Sequence, residues 1–229
     1  MLSSTNPLSQ TKDTLISSDQ TIEIETSIIK PWKFHDRPME ERQGESIVEL
    51  SNSIKASTQL QPILVRELLD DEIGEDGVKY ELIFGCRRWE ACKLANIKVK
   101  AIVRNVSDQE AFVLMDIEND EREDLKPMAR NKTWAIAFKE SFESFAEMSH
   151  AYQKERKMIE RGVKAGNVFL HPTLSQLFTE KELFDMNQSQ CFKLMNLTEE
   201  GKALENLASE DDLISKVKTT PSVKIKYDL

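Results

Sequence analysis

The chain of 229 residues is 39% hydrophobic and 31% charged, enough apolar material for a sizeable core in one or two domains. Its net charge of −9 argues against a protein that coats itself on nucleic acid, yet the excess is confined to one half: 16 basic and 25 acidic residues from Met1 to Lys126, 15 and 15 from Pro127 onward. Three cysteines, Cys86, Cys92 and Cys191, odd in number and without a CxxC pair, exclude a disulfide mini-protein, leave a structural zinc site unsupported and fit a reducing compartment.

Residues 1 to about 25, rich in Ser, Thr, Gln and Asp, read as a mobile tail; they lack the basic start and apolar core of a signal peptide, and no uncharged stretch could cross a bilayer, so a cytoplasmic protein is expected. Order is expected from Ser27. Ile28–Phe34 is a short extended segment held out of helix by Pro31, and Asp36-Arg37-Pro38 turns the chain. Ser46 with Glu49 forms a capping box for a helix whose apolar face is Ile47, Leu50 and Ile54. Gln61–Arg66 reads as a strand entered through Pro62, and the acidic loop Asp70–Gly77 leads to a return strand, Tyr80–Phe84. Gly85 ends it, a helix with Arg87, Arg88 and Trp89 follows, then a strand over Lys98–Val103 and a helix capped by Ser107 and Glu110. The first hundred residues therefore alternate strands and helices in an α/β or α+β unit.

From Pro127 the pattern is helical. Trp134, Phe138, Ser141, Phe145 and Met148 keep helical spacing over four turns, Gln153–Lys164 extends or follows that helix, and Gly162 and Gly166 break it. Thr179-Glu180-Lys181-Glu182 caps a short helix, Ser189 caps a second over Gln190–Leu197, and a third is expected over Thr198–Leu207. The tail SVKIKYDL fits a short strand or disorder.

Three groups of residues carry chemistry. Gly85-Cys86-Arg87-Arg88 at a strand-to-helix turn offers close backbone approach, unpaired helix N–H groups and two guanidiniums, an anion seat; the competing reading pairs the arginines with Glu81 and Glu90. Glu118-Asn119 can supply hard oxygen ligands to Mg²⁺, although a charge run through Asp124 also fits a solvated helix end. The pair Thr179–Leu197 resembles a helix-turn-helix whose second helix presents Gln188, Ser189, Gln190, Lys193 and Asn196 to DNA, or is simply packing.

In order, Ile29–Pro38, Ser53–Arg66, Tyr80-Glu81-Leu82-Ile83-Phe84-Gly85-Cys86-Arg87-Arg88-Trp89-Glu90-Ala91 and Glu118–Pro127 resemble four boxes of the ParB family of partition proteins, its plasmid and phage members in particular. The resemblance implies a ParB/sulfiredoxin-like α+β domain over residues 27–126 and an all-α, helix-turn-helix-like DNA-binding domain over 127–210, with a short tail after it. It implies a CTP pocket in which Gln61 and Pro62 line the nucleotide, Gly85, Arg87 and Arg88 hold the triphosphate, and Glu118 and Asn119 coordinate Mg²⁺. It further implies a centromere-like DNA site, a ParA-type ATPase partner, a homodimer closing through the amino-terminal domain, and a cytoplasmic, bacterial setting. Two positions depart from the family: Cys86 stands where its glutamate is implicated in hydrolysis, predicting a CTPase that is slow at most, and Thr58 replaces its usual glycine, predicting a different turn. A ParB-fold regulator or accessory paralogue with weak DNA binding, and a ParB-fold nuclease or kinase, remain alternatives, as does a reactive thiol at Cys86.

Overall fold

A computed structural model describes residues 20–35, 44–69, 72–74, 77–120 and 126–199. The chain divides into two compact units, Met1–Glu121 and Arg122–Leu229.

The first unit is built on a five-stranded mixed sheet of β1 (Thr21–Ile24), β2 (Ile29–Pro31), β3 (Ile63–Glu67), β4 (Tyr80–Phe84) and β5 (Val99–Val103), in the order β1-β5-β3-β4-β2. β1 runs antiparallel to β5 and β4 antiparallel to β3, while the β3/β5 and β2/β4 pairs are parallel. The β3–β4 pairing is the expected hairpin, with a register shift between Leu64 and Val65. In β3, Ile63, Leu64 and Val65 are all buried, the mark of a strand covered on both faces.

Helices α1 (Glu45–Ser57) and α2 (Cys86–Ala95) pack on each other, and Ile47, Ile54, Trp89 and Cys92 share one core with Ile63, Val65 and Leu82. The third helix, α3 (Asp108–Asp120), lies against β4; its Phe112 packs on Trp32 and Phe34 with ring centroids 4.7 and 5.2 Å away. The Ser107–Glu110 capping box forms as expected, each side chain meeting the other's backbone N–H.

The second unit, among the described residues, is helical: α4 (Pro127–Ser141), α5 (Phe145–Tyr152), α6 (Arg156–Gly166), α7 (Pro172–Leu177), α8 (Glu180–Phe184) and α9 (Gln188–Glu199). The α+β unit followed by helices is the arrangement expected from sequence.

Several local expectations are corrected. Thr21–Ile24 is not tail but an edge strand, with only Ile24 buried, so its alternation is too short to signal one. A 3₁₀ turn over Thr26–Ile28 precedes the extended segment. Ser46 does not cap α1, because the helix starts two residues earlier, after Gly44 in a glycine-type conformation at φ 126°. The Trp134–Met148 periodicity spans two helices, broken at Phe142 and restarted by Ser144, whose hydroxyl accepts from the Glu147 N–H. Gly162 lies inside α6 rather than breaking it, whereas Gly166 is the last residue of that helix. Thr179 and Glu182 form their capping box, but α9 is capped by Asn187, not Ser189: Asn187 and Gln190 exchange side chain-to-backbone hydrogen bonds of 3.0 and 2.8 Å. Thr198 and Glu199 belong to α9. The Asp36-Arg37-Pro38 turn, residues 1–19, residues 121–125 and everything from Glu200 onward lie outside the described residues.

Candidate functional site

The site is assembled where β3, β4, α2 and the carboxyl end of α3 meet. Gly85 joins β4 to α2 in the left-handed region at φ 94°, ψ 27°. A Cβ there would sit 2.7 Å from the Ile63 side chain and 3.2 Å from its Cα, so any larger residue is both strained and crowded. The turn delivers Arg88 inward. Its guanidinium donates to the Pro62 carbonyl at 2.7 Å and reaches Glu118 Oε1 at 3.4 Å. Three residues from three separate sequence boxes thus meet at one guanidinium. Arg88 and Glu118 keep 19% and 25% of their side chains exposed, so the pair faces a partly open surface. Arg87, one position along α2, is exposed, about 100° round the helix from Arg88.

The remaining expected residues are distributed as follows. Gln61 is exposed and Pro62 half-buried at the entry to β3, and Asn119 is 5% exposed beside Glu118 on α3. Among the described residues no three His, Cys, Asp or Glu side chains gather as a metal site. Glu118 offers a partly open carboxylate, which fits a Mg²⁺ ion whose other ligands are phosphate oxygens and water. Of the five residues expected at DNA, Ser189 is exposed and Gln188 half-buried at the start of α9, whereas the Gln190 side chain is turned back onto Asn187 as a cap. The side chains of Lys193 and Asn196 lie outside the described residues.

Two residues that sequence reasoning passed over shape the site. Gln59 is buried, and its amide is fully engaged: Nε2 donates to the Gln61 carbonyl at 2.8 Å and the Lys100 carbonyl at 2.9 Å, and Oε1 accepts from the Lys100 N–H at 2.8 Å. It fixes the backbone of Gln61 against β5. Arg66 on β3 binds Glu81 at 2.7 Å, Asp108 at 2.8 Å and the Val106 carbonyl at 3.0 Å, fastening the start of α3 to the sheet. Burial opposes its charge, but hydrogen bonds to Glu81 and Asp108 outweigh that and raise its pKa. Glu81 is therefore the partner of Arg66, not of Arg87 or Arg88. The signal available in sequence was only the i, i+15 charge pair on a hairpin.

Thr58 ends α1 at φ 74°, ψ 160°, a region that is essentially glycine's, and its N–H still closes on the Ile54 carbonyl at 2.9 Å. The turn thus adopts a glycine-type backbone despite the threonine. Relief of strain, about 1–3 kcal/mol, exceeds the roughly 0.5–1 kcal/mol of added unfolded-chain freedom, so Thr58→Gly is expected to raise stability by about 1 kcal/mol in a denaturant melt. A Thr58→Gly variant less stable than the parent would contradict it. A cavity of about 290 Å³ lined by Glu23, Thr58, Lys98 and Lys100 adjoins this turn and contains none of Gly85, Arg88 or Glu118.

Cys86, first residue of α2, is 3% exposed and packs into the core, and Cys92 and Cys191 are fully enclosed. Burial pushes the Cys92 thiol up to about 11 and Cys191 to about 12. All three should resist iodoacetamide at pH 8 in the native protein and react in guanidinium. Rapid native labelling of Cys86, slowed by nucleotide, would restore the reactive-thiol reading.

Residues 10–120 match the family model described as ParB N-terminal domain. The chain is 46% identical over 94 residues to the chromosome-partitioning protein ParB of Myxococcus xanthus, covering 41% of this chain and 29% of that protein. It is 33% identical over 137 residues to a probable chromosome-partitioning protein ParB of Xylella fastidiosa, covering 59% and 41%. The chain thus spans about two fifths or less of these relatives' lengths. Its fold is similar to that of a Pnob8-like ParB-N domain, with a TM-score of 0.51 and 16% identity over 92% of this chain and 96% of that one. No helix among the described residues is long and apolar enough to cross a membrane.

Proposed function

We propose that this chain, whose residues 10–120 are a ParB N-terminal domain, is a DNA-partition protein that binds CTP with Mg²⁺ and uses it as a switch while turning it over slowly at most. The observation that carries the nucleotide reading is the Arg88 guanidinium held between the Pro62 carbonyl and Glu118. A guanidinium with a long carboxylate contact and a partly open face is suited to exchange that contact for phosphate oxygens, and Glu118, once relieved of it, is suited to a phosphate-bound cation. The left-handed Gly85 brings backbone N–H groups of the α2 start to the same place. In this reading Arg87 and Arg88 hold the triphosphate, Gln61 and Pro62 border the nucleotide, and Glu118 and Asn119 face the metal.

Slow turnover follows from Cys86. Cys86 is buried in the core, and a thiol is a poor group to orient or deprotonate an attacking water. Ordering of a segment by phosphate and Mg²⁺ is a general switching device, and here it would close the amino-terminal domain on a second copy. A centromere-like DNA site, a ParA-type ATPase partner and a bacterial cytoplasmic setting complete the reading; the relatives' names, as chromosome-partitioning proteins, support it.

Calorimetric titration of CTP, ATP, GTP and UTP in the presence of Mg²⁺ tests it. Binding of CTP alone, with phosphate release no faster than background, is the expected result. Absence of CTP binding would remove the nucleotide reading, and sustained phosphate release would remove the slow-turnover part while leaving the pocket.

A further inference from the structure

The parallel β3/β5 ladder runs from the pair Ile63–Ala101 to the pair Val65–Val103. One residue before its first pair, a side chain carries the rung. The Lys100 N–H donates to Gln59 Oε1 at 2.8 Å, and Gln59 Nε2 donates onward to the Gln61 carbonyl at 2.8 Å and the Lys100 carbonyl at 2.9 Å. A primary amide offers the same donor and acceptor types as a peptide group, so Gln59 stands between the strands as an inserted peptide unit. It is 5% exposed, and Cys92 of α2 lies 3.6 Å from its Oε1, so β5, the entry to β3 and α2 meet at one amide from which water is shut out.

Two successive carbonyls at the entry to β3 are thus held by side chains from different places in the fold: that of Gln61 by Gln59, and that of Pro62 by Arg88 Nη1 at 2.7 Å. Apolar packing does little here. Leu60 is 86% exposed and Gln61 is exposed, so the path of the chain from Thr58 to Pro62 depends on polar contacts. Without the Gln59 amide, ligand binding would have to remove backbone freedom that the free protein now lacks.

We propose that Gln59 is a positioning residue for nucleotide: its amide presets Gln61 and Pro62 as the border of the pocket before ligand arrives, and affinity for the nucleoside depends on it. The inference rests on the nucleotide reading above and adds a residue that acts on the ligand only through its neighbours' backbone. Gly85, Arg87 and Arg88 stand at the β4–α2 turn with their own supports, so the triphosphate seat does not depend on Gln59.

Calorimetric titration of the full chain with CTP, and separately with inorganic tripolyphosphate, both with Mg²⁺, tests this. In Gln59→Leu, which keeps the bulk and removes the amide, CTP binding is expected to weaken on the order of tenfold, the equivalent of one residue's backbone freedom. Tripolyphosphate binding is expected to stay within about twofold of the parent's, as for a distant and independent site. Gln59→Asn keeps the amide on a stem one methylene shorter, too short to span both strands, and is expected to show the same split in milder form; it serves as the test should Gln59→Leu not fold. Arg66→Ala, which weakens the same unit away from the pocket, is the control for stability and should bind CTP as the parent does. Parental CTP affinity in both Gln59 variants, or an equal loss for CTP and tripolyphosphate, would overturn the role of Gln59 while leaving the nucleotide reading intact. A parent that binds no CTP would overturn both.

Discussion

Gly166→Ala is expected to destabilise the helical unit severely, and more than Gly162→Ala. A Cβ on Gly166 would lie 1.9 Å from the Asn131 carbonyl oxygen, 2.5 Å from its carbon and 2.9 Å from the Ala135 Cβ. Two of these are backbone atoms of α4, so no side-chain rotation relieves the contact; α4 and α6 must separate. At Gly162 the contacts are with the Trp134 ring, 2.4 and 2.8 Å, and the Asn131 amide oxygen at 3.0 Å, which can tilt, though Trp134 is itself 1% exposed. Alanine's better helix propensity returns about 1 kcal/mol at either position. Overpacking of about 3 kcal/mol or more exceeds it at Gly166 and roughly 1–3 kcal/mol offsets or modestly exceeds it at Gly162. In a unit of this size a net loss of about 2 kcal/mol lowers Tm by about 8–16 °C. A Gly166→Ala protein melting within a few degrees of the parent would mean that α4 and α6 are not in backbone contact.

Gly162 also shows why the sequence misled. Glycine in a polar, helical run reads as a breaker when only propensity is weighed, because the propensity cost is local and visible while the packing gain depends on a partner helix well over twenty residues away. The pair Thr179–Leu197 shows the limit of such local signals. Its capping box is an explicit sequence signal and it forms, but a cap marks where a helix starts, not which face meets a ligand. The turn that makes α5 and α6 a pair was hidden because Gln153, not glycine, occupies the left-handed position. By contrast the hairpin, the Gly85 turn and the Ser107 cap were legible, since each is specified by residues within a few positions of one another. Legibility fell off where specification became non-local: β1 is a strand only because β5 lies beside it, and Gln59 matters only because the Lys100 backbone is within reach.

Arg66 and Arg88 should separate stability from ligand binding when each is replaced. Both hold α3, at opposite ends: Arg66 binds Asp108 in its first turn and Arg88 reaches Glu118 in its last. Arg66 is saturated, with two carboxylates and a carbonyl at 2.7–3.0 Å and the Trp32 ring 5.8 Å from its guanidinium carbon, which leaves no geometry for a further anion. Arg66→Ala strands Glu81, whose side chain is 12% exposed, beside Asp108, which keeps 35% in water. The expected loss is about 3 kcal/mol, the low end for breaking a buried ion pair because Asp108 is partly solvated. Arg88 meets the Pro62 carbonyl and a carboxylate 3.4 Å away on a more open surface, so Arg88→Ala is expected to cost about 1 kcal/mol of stability. If Arg88 holds the triphosphate as proposed, its effect falls instead on the nucleotide: losing a charge-assisted contact to phosphate is expected to weaken CTP binding by about 2 kcal/mol or more, roughly 30-fold at least. Denaturant melts and CTP titrations on the two variants therefore give opposite orders, Arg66→Ala the less stable and Arg88→Ala the weaker binder. If Arg88→Ala unfolded the domain and Arg66→Ala folded normally but lost CTP, the roles assigned to the two arginines would have to be exchanged.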